Sequence, residues 1–192
     1  MRIPTPERIE AALTAKGWRF HREAGRLNIV VLRCTPGTLD AFDDMLVVVY
    51  RSPDGATQLW AARCTADPGK PSREHPKRRD GTAVVAVCQL VDGFAIGKHH
   101  DDYFCLVPIV PVPVLRYTAI DDQVGDPSTS NATQIHRASA SHESTVVGPW
   151  SEGCIVLANP VDFAVLMGMV HAQVADGFAK FTVSLLEWPA AA

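Results

Sequence analysis

A chain of 192 residues, 47% hydrophobic and 20% charged, has an ordinary globular composition with enough apolar residues for a sizeable core. A net charge of −3 gives no bulk attraction to nucleic acid or anionic membrane, so neither is an expected partner. No run reaches the roughly 18 apolar residues of a membrane span, and the first residues lack the apolar core of a signal peptide. Synthesis in the cytoplasm is expected, with lysis or a dedicated export route carrying the protein to any substrate outside.

Thr5-Pro6-Glu7 supplies an N-cap, a proline at the first helical position and an acid in the first turn. This predicts a helix over 5–16, with Ile9, Ala12 and Leu13 on one face and Gly17 ending it. Residues 30–34 have the character of a short strand, and Pro36-Gly37 breaks the chain. Residues 1–44 are therefore expected to form a helix and lead-in ahead of a main domain over 45–192. An apolar, β-branched run at 45–50, a turn at Ser52-Pro53-Asp54-Gly55 and a second run at 58–65 predict a hairpin. The basic, Pro-rich stretch 70–79 suits a solvated loop. A third strand is expected over 82–90, ended by Asp92-Gly93. Residues 110–117 are strand-like, but Pro111 and Pro113 cannot donate to a ladder, which predicts a sheet edge.

The polar stretch 125–131 suits a surface loop, from which 133–136 returns to the core. Residues 154–157 form a short apolar run. Asn159-Pro160-Val161-Asp162 then combines N-cap, proline and acid. It predicts a helix over 160–176 that buries Phe163, Leu166, Val170 and Val174, with Gly177 ending it. Residues 180–187 make a final strand, and the tail from Trp188 is expected to fray. The fold class is mainly β, a β-rich α+β domain. Its expected form is a curved mixed sheet or sandwich with one long helix packed on it, a short N-terminal helix and a cleft at the strand ends.

Five cysteines, an odd number with no CxxC, favour neither a disulfide framework nor a zinc ribbon. Cys64 and Cys88 lie in apolar strand-like runs and suit small core residues, as do Cys34 and Cys105. Cys154 differs, because its neighbours are Ser151, Glu152 and Gly153. A cysteine attacks a carbonyl as thiolate and needs a base nearby. His136, ending one strand, would face Cys154 at the start of the next. Gly153 would let a substrate approach the backbone, and the Gly153 and Cys154 amides would bind an oxyanion.

The order His136, a loop, Ser151-Glu152-Gly153-Cys154-Ile155, then Asn159 and Asp162 resembles the catalytic domain of the L,D-transpeptidases, the YkuD-like domain. Ile135-His136-Arg137, Trp150-Ser151 and Asn159-Pro160 are similar to a divergent branch of that family found in phage and prophage genomes. The resemblance spans residues 45–187 and is specific in the last third. It implies cysteine-dependent acyl transfer on peptidoglycan stem peptides, by transpeptidation or by L,D-carboxypeptidase hydrolysis, with no cofactor and no metal. In those terms Cys154 is the nucleophile, His136 the general base, and Ser151 shapes the loop. Arg137, Trp150 and His99 would contact substrate. Two positions depart from the family pattern: Glu152 replaces the motif histidine and Val156 replaces an arginine that would anchor a carboxylate.

Three other readings compete. His99-His100-Asp101-Asp102 with His136 and His142 contains zinc-ligand types, although neighbouring residues on a strand face opposite ways. A papain-like peptidase would place the cysteine on a helix ahead of the histidine, the reverse of the order here. A non-catalytic phage-associated binding or structural protein with a relict site would also carry Glu152 and Val156.

Overall fold

The β-branched runs and the two capped helices anticipated from sequence all form in the computed structural model, which describes residues 2–121 and 124–190. In chain order the elements begin α1 (Pro6–Ala15), β1 (Asn28–Thr35), β2 (Asp44–Arg51), β3 (Thr57–Thr65), α2 (Lys70–Glu74), β4 (Thr82–Val85) and β5 (Cys88–His99). They continue β6 (Tyr103–Pro108), β7 (Val112–Tyr117), β8 (Asp126–Ser130), β9 (Ile135–Arg137), β10 (Ile155–Leu157), α3 (Pro160–Ala175) and β11 (Phe181–Pro189). Strand outweighs helix, 41% to 18%, so the class is mainly β.

The curved mixed sheet closes on itself. Eight strands form a barrel in the order β1-β11-β5-β6-β9-β10-β3-β2, and β4-β7-β8 form a separate sheet. Two neighbouring pairs are parallel, β1 with β11 and β9 with β10. Closure joins Asn28 to Thr182 across almost the whole chain. It removes the exposed edges that an open sheet would leave. It also corrects the expected boundary at residue 44: β1 belongs to the barrel and pairs on both sides.

The inward residues of β1, β2, β3, β9, β10 and β11 join one core cluster. At one end of the barrel β10 stops and β11 starts, and α3 connects them. Its Phe163, Leu166, Met167 and Val170 enter that same cluster. Gln173 ties the end of α3 down: its Oε1 accepts from the Leu27 amide, and its Nε2 donates to the Phe178 and Lys180 carbonyls. Ala83, Val85, Val112 and Val114 of the small sheet complete the core. On the outer wall, Ile9 and Leu13 of α1 pack on Val30, Leu32, Val47 and Trp188. The caps act as the sequence implies, with Thr5 accepting from the Arg8 amide and Asn159 from the Val161 amide.

Four local expectations are overturned by non-local pairing. Asp92-Gly93 does not end a strand: Asp92 takes a positive φ of 50°, the register against β11 shifts there, and β5 runs on to His99 as a bulged strand. The 82–90 strand splits instead between β4 and β5. β7 lies in the centre of its sheet, not at an edge. It tolerates Pro113 because that residue lies beyond the last pair with β4, Val85 with Val114. The polar stretch 126–130 is an edge strand beside β7, its hydrophilic side chains largely facing solvent. Finally, Trp188 and Pro189 pair with Cys34 and Thr35 and do not fray; Ala191 and Ala192 lie outside the described residues.

Candidate active site

Strand parity decides what β9 and β10 present. They run parallel in the register Ile135 with Ile155, Val156 with His136. Ile135, Ile155 and Leu157 point inward to the core, so Gln134, His136, Cys154 and Val156 share the outer wall. His136 and Cys154 are therefore diagonal neighbours on adjacent strands. On the same wall, β6 contributes Cys105, which by register lies beside His136, and Tyr103. β5 contributes His99, paired with Tyr103.

His136 is almost fully buried, 3% exposed. Its Nδ1 lies 2.8 Å from the Arg137 carbonyl oxygen, which can only accept, so Nδ1 carries the proton and Nε2 keeps its lone pair. The Tyr103 hydroxyl donates to the same carbonyl at 3.4 Å. Burial pushes the His136 pKa down to about 4, opposed by the bond to Arg137 and assisted by His99 and His100. At neutral pH the imidazole is uncharged, with its lone pair at Nε2 and a proton affinity lowered by burial. The His99 ring stacks on it at 4.2 Å between centroids and 23° between planes. Gln134 Oε1 pairs with His99 Nδ1, so the ring carrying the stack is itself held. His100 takes φ 48° in the β5–β6 turn, which brings its ring 4.3 Å from His99 although the two are neighbours in sequence.

Cys154 Sγ accepts from the Gln134 amide at 3.5 Å and donates toward the Ala132 carbonyl at the same distance. No hydrogen bond joins it to His136 among the described residues. Burial pushes its thiol pKa up; the Gln134 amide opposes this and Glu152 adds to it. The resting pair is thus a thiol beside a neutral imidazole.

Ser151 is fully buried and closes the turn before the cysteine. Its Oγ donates to the Cys154 carbonyl at 2.9 Å and accepts from the Gly153 amide at 3.2 Å. The Gly153 amide is therefore committed within the loop and does not face a substrate, which corrects its expected oxyanion role. The glycine itself has another reason. Its φ is 124°, and a Cβ there would lie 2.5 Å from the Ala83 carbonyl oxygen, so β4 and not a substrate occupies the space. Glu152 forms an ion pair with Lys77, linking the loop to the 70–79 segment. Gly69 donates to the Ser151 carbonyl at 2.9 Å and adds a second link.

The remaining predicted contacts divide. Arg137 lays its guanidinium over the Tyr103 ring, 3.6 Å from the centroid, and lines a cleft of about 290 Å³ between β6, β9 and α3. His136 and Cys154 do not line that cleft, although Tyr103, which does, also meets the His99 ring that stacks on His136. Trp150 sits partly exposed on a single 3₁₀ turn away from the cleft. Tyr103 and Cys105 were not singled out by sequence as site residues, because only the β6 hairpin brings them beside His136; nor was Gln134, two residues before it on the same face. All five cysteines are free. Among the described residues no three His, Cys, Asp or Glu side chains are grouped as a metal site would require. None of the described helices is long and apolar enough to cross a membrane.

Compared with known protein families, curated proteins and solved structures, the chain matches none of them.

Proposed function

We propose that this protein carries out cysteine-dependent acyl transfer on peptidoglycan stem peptides, as an L,D-transpeptidase or L,D-carboxypeptidase. One observation carries the reading: Cys154 and His136 share one face of two adjacent parallel strands, and His136 has its Nδ1 proton committed to the Arg137 carbonyl. That tautomer leaves Nε2 as the base. The motif resemblance supplies the substrate class.

In this reading the Cys154 Sγ–H proton moves to His136 Nε2 as sulfur attacks the carbonyl carbon of the stem-peptide diamino acid. The C–N bond to D-alanine breaks, and His136 returns the proton to the leaving amine. An amine of a second stem or a water then attacks the thioester, and sulfur leaves as the thiol. Because the resting thiol is held above its ordinary pKa, proton transfer accompanies attack and no preformed thiolate is required. Delivery to the wall by lysis or export belongs to the same proposal.

A second reading, a binding protein with a relict site, is favoured by a specific contact: Sγ is bonded to Gln134 and Ala132 and not to His136. Incubation with a tetrapeptide stem fragment separates the two. Acyl transfer requires release of D-alanine and a covalent adduct on Cys154 by intact-protein mass spectrometry, both abolished in Cys154→Ala. Neither product from the folded wild type would leave the binding reading standing.

A further inference from the structure

The cleft beside the β6 hairpin has its own chemistry. Phe163 and Met167 of α3 line it together with Tyr103, Phe104 and His171. Arg137 lines it too. Its guanidinium is held against the Tyr103 ring, and no carboxylate pairs with it among the described residues. A planar cation with five donors, fixed in place and lacking a carboxylate, is organised for an anion that arrives with the ligand. The aromatic and thioether walls suit an apolar body of about one residue in size.

The position of the cleft relates it to the thiol. By register Cys154 aligns with Gln134, and Arg137 lies three residues further along β9, beside Leu157 and so on the opposite face of the strand pair from Cys154. At roughly 3.3 Å per residue the separation along the strand is about 10 Å, and a chain reaching both places must also pass round the strand end, so it needs at least three extended residues. Tyr103 connects the two places: its ring meets Phe163 edge-on at 5.8 Å and His99 at 5.2 Å, and His99 stacks on His136.

We propose that this cleft is a carboxylate-binding subsite, taking a small ligand or peptide end with an apolar body whose carboxylate pairs with Arg137. Its service to a chain reacting at Cys154 rests on the acyl-transfer reading; its ligand chemistry does not.

The test uses full-length Cys154→Ala protein and two probes, 3-phenylpropionate and its neutral amide, followed by amide chemical shifts. The acid is expected to shift Arg137, Phe163, Ala164 and Met167 saturably, and the amide to bind about tenfold or more weakly. Arg137→Gln is expected to remove that difference with its spectrum otherwise unchanged. Equal binding of acid and amide, or shifts confined to other parts of the barrel, would overturn the subsite. With wild-type protein, stem-type peptides bearing a carboxylate or a carboxamide three residues from the scissile bond test the connection. A carboxylate preference in kcat/KM that vanishes in Arg137→Gln supports it, and turnover indifferent to that carboxylate overturns the connection alone. Absence of any turnover, with acid-selective binding intact, removes the acyl-transfer reading and the connection while leaving the subsite.

Discussion

The inner and outer faces of the β9–β10 pair are made by alternate residues of the same two short strands, yet they do different work. Inward, Ile135, Ile155 and Leu157 are completely enclosed and join a core that also takes in α3 and the small sheet. Outward, His136 is enclosed and Cys154 partly so, among the polar and aromatic groups of Gln134, His99, Tyr103 and the Arg137 carbonyl, with a small apolar cluster of Phe42, Val147 and Val156 against Cys154. The inner face is interchangeable with any well-packed apolar set, since dispersion and burial have little directionality. The outer face depends on which atom of each group meets which. Placing both on or directly beside strands only three residues long fixes the outer wall to the core with no flexible segment between them.

That contrast can be broken from either side. Leu157→Ala on the inner face is expected to cost about 2–5 kcal/mol of stability in denaturant unfolding. The fraction that remains folded should alkylate at Cys154 at the wild-type rate. A changed rate in still-folded protein would mean that the two faces are not independent.

On the outer face, His136→Gln should change the pH dependence of folding. His136 has its pKa lowered in the folded state, so between about pH 6.5 and 4 the unfolded chain binds the extra proton and stability falls as pH falls. Over that window the wild type should lose up to about 3 kcal/mol relative to the variant. Buried Asp44 works with the opposite sign. Burial raises its pKa to about 7, against the Cys34 and Ala66 amides that bond its two oxygens, so its contribution falls as pH rises from about 4 to 7. The comparison of variant with wild type isolates the His136 slope, and parallel profiles would show that its charge is not excluded.

Gly153→Ala tests whether β4 dictates the motif glycine. A positive φ and a Cβ aimed at the Ala83 carbonyl should together destabilise by about 1–3 kcal/mol, measured by denaturant unfolding. An unchanged midpoint would show that the turn can move away from β4. The smallest effect is expected from Lys77→Ala. Its ion pair with Glu152 is solvent-exposed and should contribute no more than about 1 kcal/mol, falling with added salt.

Features governed by near neighbours were readable in the sequence. Thr5 and Asn159 cap helices through bonds within three residues. The β2–β3 hairpin follows from two apolar runs around one turn. Cys154 stood out because its immediate neighbours are wrong for a core thiol, and Arg137 because it follows the histidine. His99 was drawn to the site as a substrate contact or as a ligand in the rival zinc reading, whereas it stacks on His136.

The same local logic misjudged Asp92-Gly93, Pro113 and the polar 126–130 stretch, because a bulge, a strand centre and an edge are defined by partners far away in sequence. By itself, then, the amino-acid order determined the β-rich class and the capped helices, and it pointed to His136 and Cys154, which the fold places on one face of adjacent strands. Closure of the barrel through β1 and β11, the stack on His136 and the cleft at Arg137 were decided only in three dimensions. Each of those depends on a contact between strands or helices that no short window of sequence contains.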